Sequence, residues 1–194
     1  FRNCSSLENI TFDADNVEVI GDICELFESC ENLSAFYGKC ASDDNRCLII
    51  NNTLYSFIPK DLTEYIIPQG ITKLEDSAFV LCNYINNKIS IILSDDVTDI
   101  GRAFGYGLNR LTPNISHVTI GRGITSIGEE AFYYCPDLKS ITMGKCVASI
   151  GTNAFPRTLT KVNITSLSAW CNIEFEDDSS HPFYPMNMST EMGD

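Results

Sequence analysis

Nine cysteines and two histidines, His117 and His181, are the residues of this 194-residue chain whose types suit redox, metal or nucleophilic chemistry. Their spacing points elsewhere. No Cys-x-x-Cys pair occurs, so zinc and thioredoxin-like readings lack the two thiols that one turn would bring together. Cys4, Cys30, Cys82 and Cys135 each stand three residues after a bulky apolar residue. A slot filled that regularly reads as a buried ladder in which Cys serves as a small apolar side chain. Most of the nine are therefore expected to be free thiols, although Cys40 and Cys47 flank one loop and are candidates for a bridge. With no Gly-x-Ser-x-Gly elbow and His117 in a strand position expected to face solvent, no catalytic residue is assigned.

Carboxylates come in clusters: Asp13-Ala-Asp15-Asn16, Asp43-Asp44-Asn45, Asp95-Asp96 and Glu176-Asp177-Asp178. None has the EF-hand spacing. Solvated turns are the first reading, since Asp and Asn favour them, and calcium stays open as the second. No metal and no cofactor is assigned. The net charge is −13. A nucleic-acid footprint needs clustered Lys and Arg, so DNA and RNA binding are disfavoured. Hydrophobic residues make up 44%, as in a globular chain, and no apolar run is long enough to span a bilayer. Seven Asn-x-Ser/Thr sequons carry meaning only in a eukaryotic source. The chain has neither an initiator Met nor a charged-then-apolar leader, and reads as a piece of something longer.

The elements that position these side chains come from internal repetition. Ile124-Thr-Ser-Ile127-Gly128-Glu-Glu-Ala131-Phe132-Tyr-Tyr-Cys135-Pro-Asp-Leu138-Lys-Ser-Ile141-Thr-Met143 is echoed by Val147-Ala-Ser-Ile150-Gly151-Thr-Asn-Ala154-Phe155 and Leu159-Thr-Lys-Val162-Asn-Ile164. Upstream echoes run Ile71 to Leu74, Ala78-Phe79 and Cys82; Val97 to Ile100-Gly101 and Ala103-Phe104; Val17 to Ile20-Gly21, Phe27, Cys30 and Leu33. About seven coils follow. In each, the Leu-x-x-Ile-x-Ile stretch alternates in and out over its last positions, and a second short strand precedes the Gly. One coil cannot bury its apolar rows alone, so the fold class is a repeat solenoid, mostly β with short 3₁₀ or helical turns. Gly in the Ile-Gly-x-x-Ala-Phe link is expected at positive φ. Phe79, Phe104, Phe132 and Phe155 should stack, joined by Phe27 in a shifted register. The coil near 33–61 is longer. In the run from Cys47 to Pro59 two apolar stretches flank Asn51-Asn52, which predicts a β-hairpin over 47–58 projecting from the coil. Ser166 is placed to cap a short helix through Ala169, Trp170 and Cys171.

The recurring Ile-Gly-x-x-Ala-Phe-x-x-Cys-x-x-Leu-x-x-Ile-x-Ile motif resembles the BspA-like leucine-rich repeat family of Bacteroides-type bacteria. The likeness covers roughly residues 1–165. The stretch Leu167 to Phe175 and the residues His181-Pro182-Phe183-Tyr184 resemble a segment that such proteins place between repeats. The resemblance implies a leucine-rich-repeat right-handed coil. It also implies a secreted or surface-anchored protein that binds other proteins, sometimes host matrix. The expected organisation is a solenoid over 1–165, with a hairpin inserted near 40–61, and an irregular segment over 166–194 leading toward a further repeat.

Stacked strands expose columns of side chains. One reads Asn9, Ala35, Glu64, Ser90, His117, Ser140, Lys161 and the next Thr11, Tyr37, Ile66, Ile92, Thr119, Thr142, Asn163. Tyr37, Ile66 and Ile92 would form an apolar cluster of the kind that marks interaction sites, unless the hairpin at 47–58 folds over them. The candidate binding residues are Tyr37, Glu64, Ile66, Ser90, Ile92 and His117, with a protein ligand as the expected partner. A binding, adhesion-type solenoid is the first functional reading. A structural spacer that projects another domain is the alternative.

Overall fold

The computed structural model describes residues 1–14, 17–19, 26–104 and 113–182. The expectations for Ile20-Gly21, Asp15-Asn16 and Phe183-Tyr184 lie outside these residues.

Two rows of parallel strands run along the stack. The first holds the alternating stretches: β1 (Asn9–Phe12) pairs with β2 (Ala35–Gly38). The hairpin strands β3 (Cys47–Ile50) and β4 (Thr53–Phe57) come next in the chain. β5 (Glu64–Ile66) opens a five-stranded sheet, and β6 (Lys73–Leu74) is the first short strand before a Phe. The sheet continues through β7 (Ile89–Ile92) and β8 (Ile115–Thr119). It passes β9 (Ser126–Ile127) in the chain, takes in β10 (Ser140–Met143), passes β11 (Ser149–Ile150), and ends at β12 (Lys161–Ile164). The short strands make the second row, where β9, β11 and β13 (Glu174–Phe175) pair in parallel. A single bridge, Lys73 to Asp99, marks the coil between β6 and β9. The helix α1 (Leu167–Cys171) begins where Ser166 Oγ accepts from the Ala169 amide. The chain then returns to the stack through β13.

The strand alternation is as the sequence predicts. In β10, Ile141 and Met143 are buried while Ser140 and Thr142 are half-exposed. Hydrogen bonds join adjacent coils at every part of the circuit. Ile120 N donates to Thr142 O (2.9 Å), Ala148 N to Thr125 O (2.7 Å) and Phe132 N to Ala154 O (2.8 Å). Each coil thus satisfies its neighbour's backbone, as buried amides require.

The aromatic row is present over Phe79, Phe104, Phe132 and Phe155, with centroid spacings of 4.6, 4.8 and 6.0 Å. Phe27 does not join it. Phe57 of β4 takes the next position, 5.7 Å from Phe79. Phe27 packs instead against Phe36 (5.3 Å) and Phe1 (5.8 Å), in a separate core cluster. The hairpin is the reason. It does not project: β4 pairs in parallel with β6 (Thr53 with Lys73, Leu54 with Leu74) and so occupies the short-strand row. Its alternating side chains then serve two cores. Cys47, Leu54 and Phe57 face the main cluster, while Leu48, Ile50 and Ile58 face the cluster of the first two coils. Asn51 and Asn52 take φ of 49° and 60°, the left-handed pair that a tight hairpin turn needs.

Glycine differs from expectation too. In the link before each Phe, Gly101 has φ of 43°, but the positive φ in the other coils falls on the residue just before Ala: Ser77, Glu130 and Asn153. Gly121 and Gly144 are needed for a different reason. A Cβ on Gly121 would land on the carbonyl of Ser94, and one on Gly144 would lie 2.7 Å from the carbonyl of Gly121. Successive coils touch backbone to backbone there.

The thiol slot is buried at Cys30, Cys82 and Cys135, whereas Cys4 is exposed. Cys135 donates to Phe104 O at 3.0 Å. Burial pushes the Cys82 and Cys135 thiols well above the ordinary range. Cys40 and Cys47 are separate free thiols.

Phe132→Ala should cost about 3–5 kcal/mol in chemical denaturation, the usual effect of emptying so closed a site. Amides of the coils on both sides should exchange faster with it, because neighbours share the cavity. Titration of thiols in native buffer should modify Cys4, Cys146 and Cys171, whereas Cys30, Cys40, Cys47, Cys82 and Cys135 should react only after denaturant is added.

Candidate functional site on the ladder face

The outward positions of the five-stranded sheet form two continuous columns. Register places Glu64 beside Ser90, Ser90 beside His117, His117 beside Ser140 and Ser140 beside Lys161. The second column runs Ile66, Ile92, Thr119, Thr142, Asn163. Five of the six candidate residues, Glu64, Ile66, Ser90, Ile92 and His117, therefore lie together on β5, β7 and β8. A register shift at the start of the β7–β8 pair leaves Ser116 as an extra residue.

Tyr37 stands apart. It is 43% exposed but belongs to the separate β1–β2 pair, opposite Thr11. β2 and β5 do not pair. The loop Ser42–Arg46 bridges the break between them. Phe36 N donates to Asn45 O (2.8 Å) on one side, and Ile58 N donates to Arg46 O (2.9 Å) on the other. The Arg46 guanidinium donates to the carbonyls of Ile58 (3.3 Å) and Lys60 (2.5 Å). The Tyr65 hydroxyl donates to Asp44 (2.9 Å) and lies 3.3 Å from Cys47 Sγ. Burial pushes the Cys47 thiol up to about 12, against the opposing pull of the Tyr65 bond. The hairpin sits in the other strand row and does not pair over β5 and β7; Ile92 is half-buried. Ile66 is 62% exposed. Part of this was unreadable from sequence, because Asp44 and Tyr65 are 21 residues apart and no local pattern announces their contact.

His117 is more engaged than a solvent-facing strand position implies. Its Nδ1 is 2.7 Å from Ser140 Oγ, and its Nε2 is 3.2 Å from both Thr119 Oγ1 and Thr142 Oγ1. Asn163 Nδ2 donates on to Thr142 Oγ1 at 3.3 Å. Partial burial holds the imidazole below its ordinary value; the Ser140 bond opposes that shift. This half of the face is a network of hydroxyl, imidazole and amide groups. The other half is apolar at Ile66 and Ile92.

The acidic clusters serve the backbone. Asp95 accepts from Arg122 N (2.8 Å), Asp96 from Gly70 N (2.8 Å) and Glu176 from Thr152 N (3.1 Å), each tying one coil to another. Hydrogen bonds from Ser179 and Ser180 hold the Asp177 carboxyl below the usual range. Among the described residues, no group of three or more His, Cys, Asp or Glu side chains converges as a metal site would require. No helix among them is long and apolar enough to cross a membrane.

The His117 ring should titrate with a midpoint below ~6.5, the free imidazole value, as followed by NMR. The sign follows from the depressed value. The fold favours the neutral ring, so this contribution to stability is present above ~6.5 and is lost as pH falls through the folded midpoint. Thr142→Val with Ser140→Ala should leave the ring only Thr119 of these three partners and, with the Ser140 Oγ bond removed, lower its midpoint further.

A family model described as BspA type leucine rich repeat region matches residues 1–41 and 49–180 in six copies, against the about seven coils expected from sequence. The unmatched residues 42–48 are the loop that bridges the two ladders and the first residues of β3. A solved structure, a leucine rich cell surface protein from Faecalibacterium prausnitzii A2-165, is similar at 20% identity with a TM-score of 0.43. The likeness covers 77% of this chain and 47% of that one, so the chain spans about half of that protein's length. No curated protein matches. With its repeats matched over most of their length, the chain belongs to the BspA type leucine rich repeat family.

Proposed function

We propose that the chain is a non-enzymatic protein-binding module of adhesion type, displayed at a cell surface or secreted, and that it binds through the exposed face of β5, β7, β8, β10 and β12. The observation that carries this reading is the exposed Ile66 beside the half-buried Ile92, continuous with Glu64, Ser90 and His117. These side chains come from successive coils and are held by paired strands, so a partner meets a surface that needs no ordering on binding. Apolar side chains flanked by polar ones are the usual anatomy of an interaction patch. The charge of −13 favours a partner with a basic surface, whose association slows as salt rises. Tyr37, on its own two-stranded sheet, is outside this patch.

The test is a binding screen of the chain against immobilised host matrix proteins, followed by Ile66→Asp and Tyr37→Ala in the same assay. Ile66→Asp should weaken binding by about thirtyfold or more, as for a hot-spot residue, with the fold retained by circular dichroism. Tyr37→Ala should change affinity far less. Equal, undiminished binding in both variants would move the site off this face. An absence of any partner would favour a spacer that only projects a neighbouring domain.

A further inference from the structure

The ladder face is electrically polar along one column. Glu64 stands at its β5 end and Lys161 at its β12 end; both are exposed, and neither is ion-paired among the described residues. Between them lie Ser90, His117 and Ser140, with no other carboxylate or ammonium group in either column. The second column repeats the asymmetry in another form: Ile66 and Ile92 flank the acidic end, while Thr119, Thr142 and Asn163 flank the basic end. Four interstrand spacings of ~4.8 Å separate Glu64 from Lys161, which is about 19 Å. An extended chain rising ~3.3 Å per residue covers that distance in about six residues.

Resting on the reading of this face as a protein-binding surface, we propose that it receives one extended peptide segment of a partner protein, laid across the strands in a single orientation. A basic side chain of the segment pairs with Glu64, with an apolar neighbour over Ile66 and Ile92. An acidic side chain about six residues away pairs with Lys161. The groups between, His117 with Thr119, Ser140, Thr142 and Asn163, supply hydrogen bonds to the backbone of the segment. The opposite orientation sets acid against Glu64 and base against Lys161, and like-charge contacts of that kind exclude wrong partners more strongly than correct contacts reward right ones. The excess negative charge of the whole chain brings basic partners in, and Lys161 then fixes which way round they lie.

A phage library of random twelve-residue peptides, panned against the full chain, tests this. The enriched peptides should carry Lys or Arg and, about six residues away, Asp or Glu, with an aliphatic or aromatic residue next to the basic one. A selected peptide should lose about tenfold or more in affinity on the double variant Glu64→Lys with Lys161→Glu. The same peptide with its two charges exchanged should recover binding to that variant. Unchanged affinity on the double variant, or failure of the exchanged peptide to recover it, would overturn the charge-ordered segment. If such peptides still lose binding on Ile66→Asp, the ladder face stands as a binding surface and only its charge reading fails. Peptides indifferent to Ile66→Asp as well, or no enrichment at all, would overturn both.

Discussion

Everything in this molecule depends on a coil finding a second coil to lie against. A single turn of about 23 residues presents its Phe, its thiol slot and its strand amides on both flat sides. None of these is satisfied within the turn. The Phe79–Phe104–Phe132–Phe155 row and the parallel pairing of β5 through β12 are two expressions of one constraint: apolar area and backbone polarity must both be closed between neighbours. The close approach at Gly121 and Gly144 follows from it, because a side chain there would hold the coils apart. So do the carboxylates of Asp95, Asp96 and Glu176, which reach across to amides that a neighbouring coil leaves open.

The same constraint decides what the chain can offer a partner. The inward side chains are fixed by stacking, so variation is free only at the outward positions, and these are brought into line by the register of the strands. A binding surface on such a scaffold is made by choosing one side chain per coil. Here the choices divide the face into an apolar, acidic end and a hydroxyl-rich, basic end. His117 sits at the join, its ring bound by side chains from its own strand and the next.

Periodic features were legible in the sequence, and features that interrupt the period were not. The outward columns from Glu64 and Ile66 onward and the Ser166 cap follow from counting, since in a stacked array equal spacing means equal place; the expected continuity with Ala35 and Tyr37 fails because β2 and β5 do not pair. The hairpin itself was also readable from Asn51-Asn52. Its partner was not, because pairing of Leu54 with Leu74 is settled by which neighbour offers a free edge, and nothing local records that. The displacement of Phe27 from the aromatic row is a consequence of the same pairing, since Phe57 already fills the position beside Phe79. Positive φ falls at Glu130 and Asn153 rather than at Gly128 and Gly151, and Gly151 is small for another reason: Glu129 N lies 2.7 Å from where its Cβ would be.

The hairpin also sets a rule for how such an array can change over generations. Ordinary coils present matching upper and lower sides, so a duplication or deletion of one whole repeat leaves two surfaces that still fit. The hairpin coil has unlike sides: Leu48, Ile50 and Ile58 toward the first two coils, Cys47, Leu54 and Phe57 toward the rest. Recombination through it would bring together surfaces that do not match, and unpaired recombinants would be lost. It therefore acts as a fixed joint in an otherwise interchangeable series. Repeats can be gained or shed on either side of it, and the outward residues on the two sides are free to diverge independently while the joint between them stays constant.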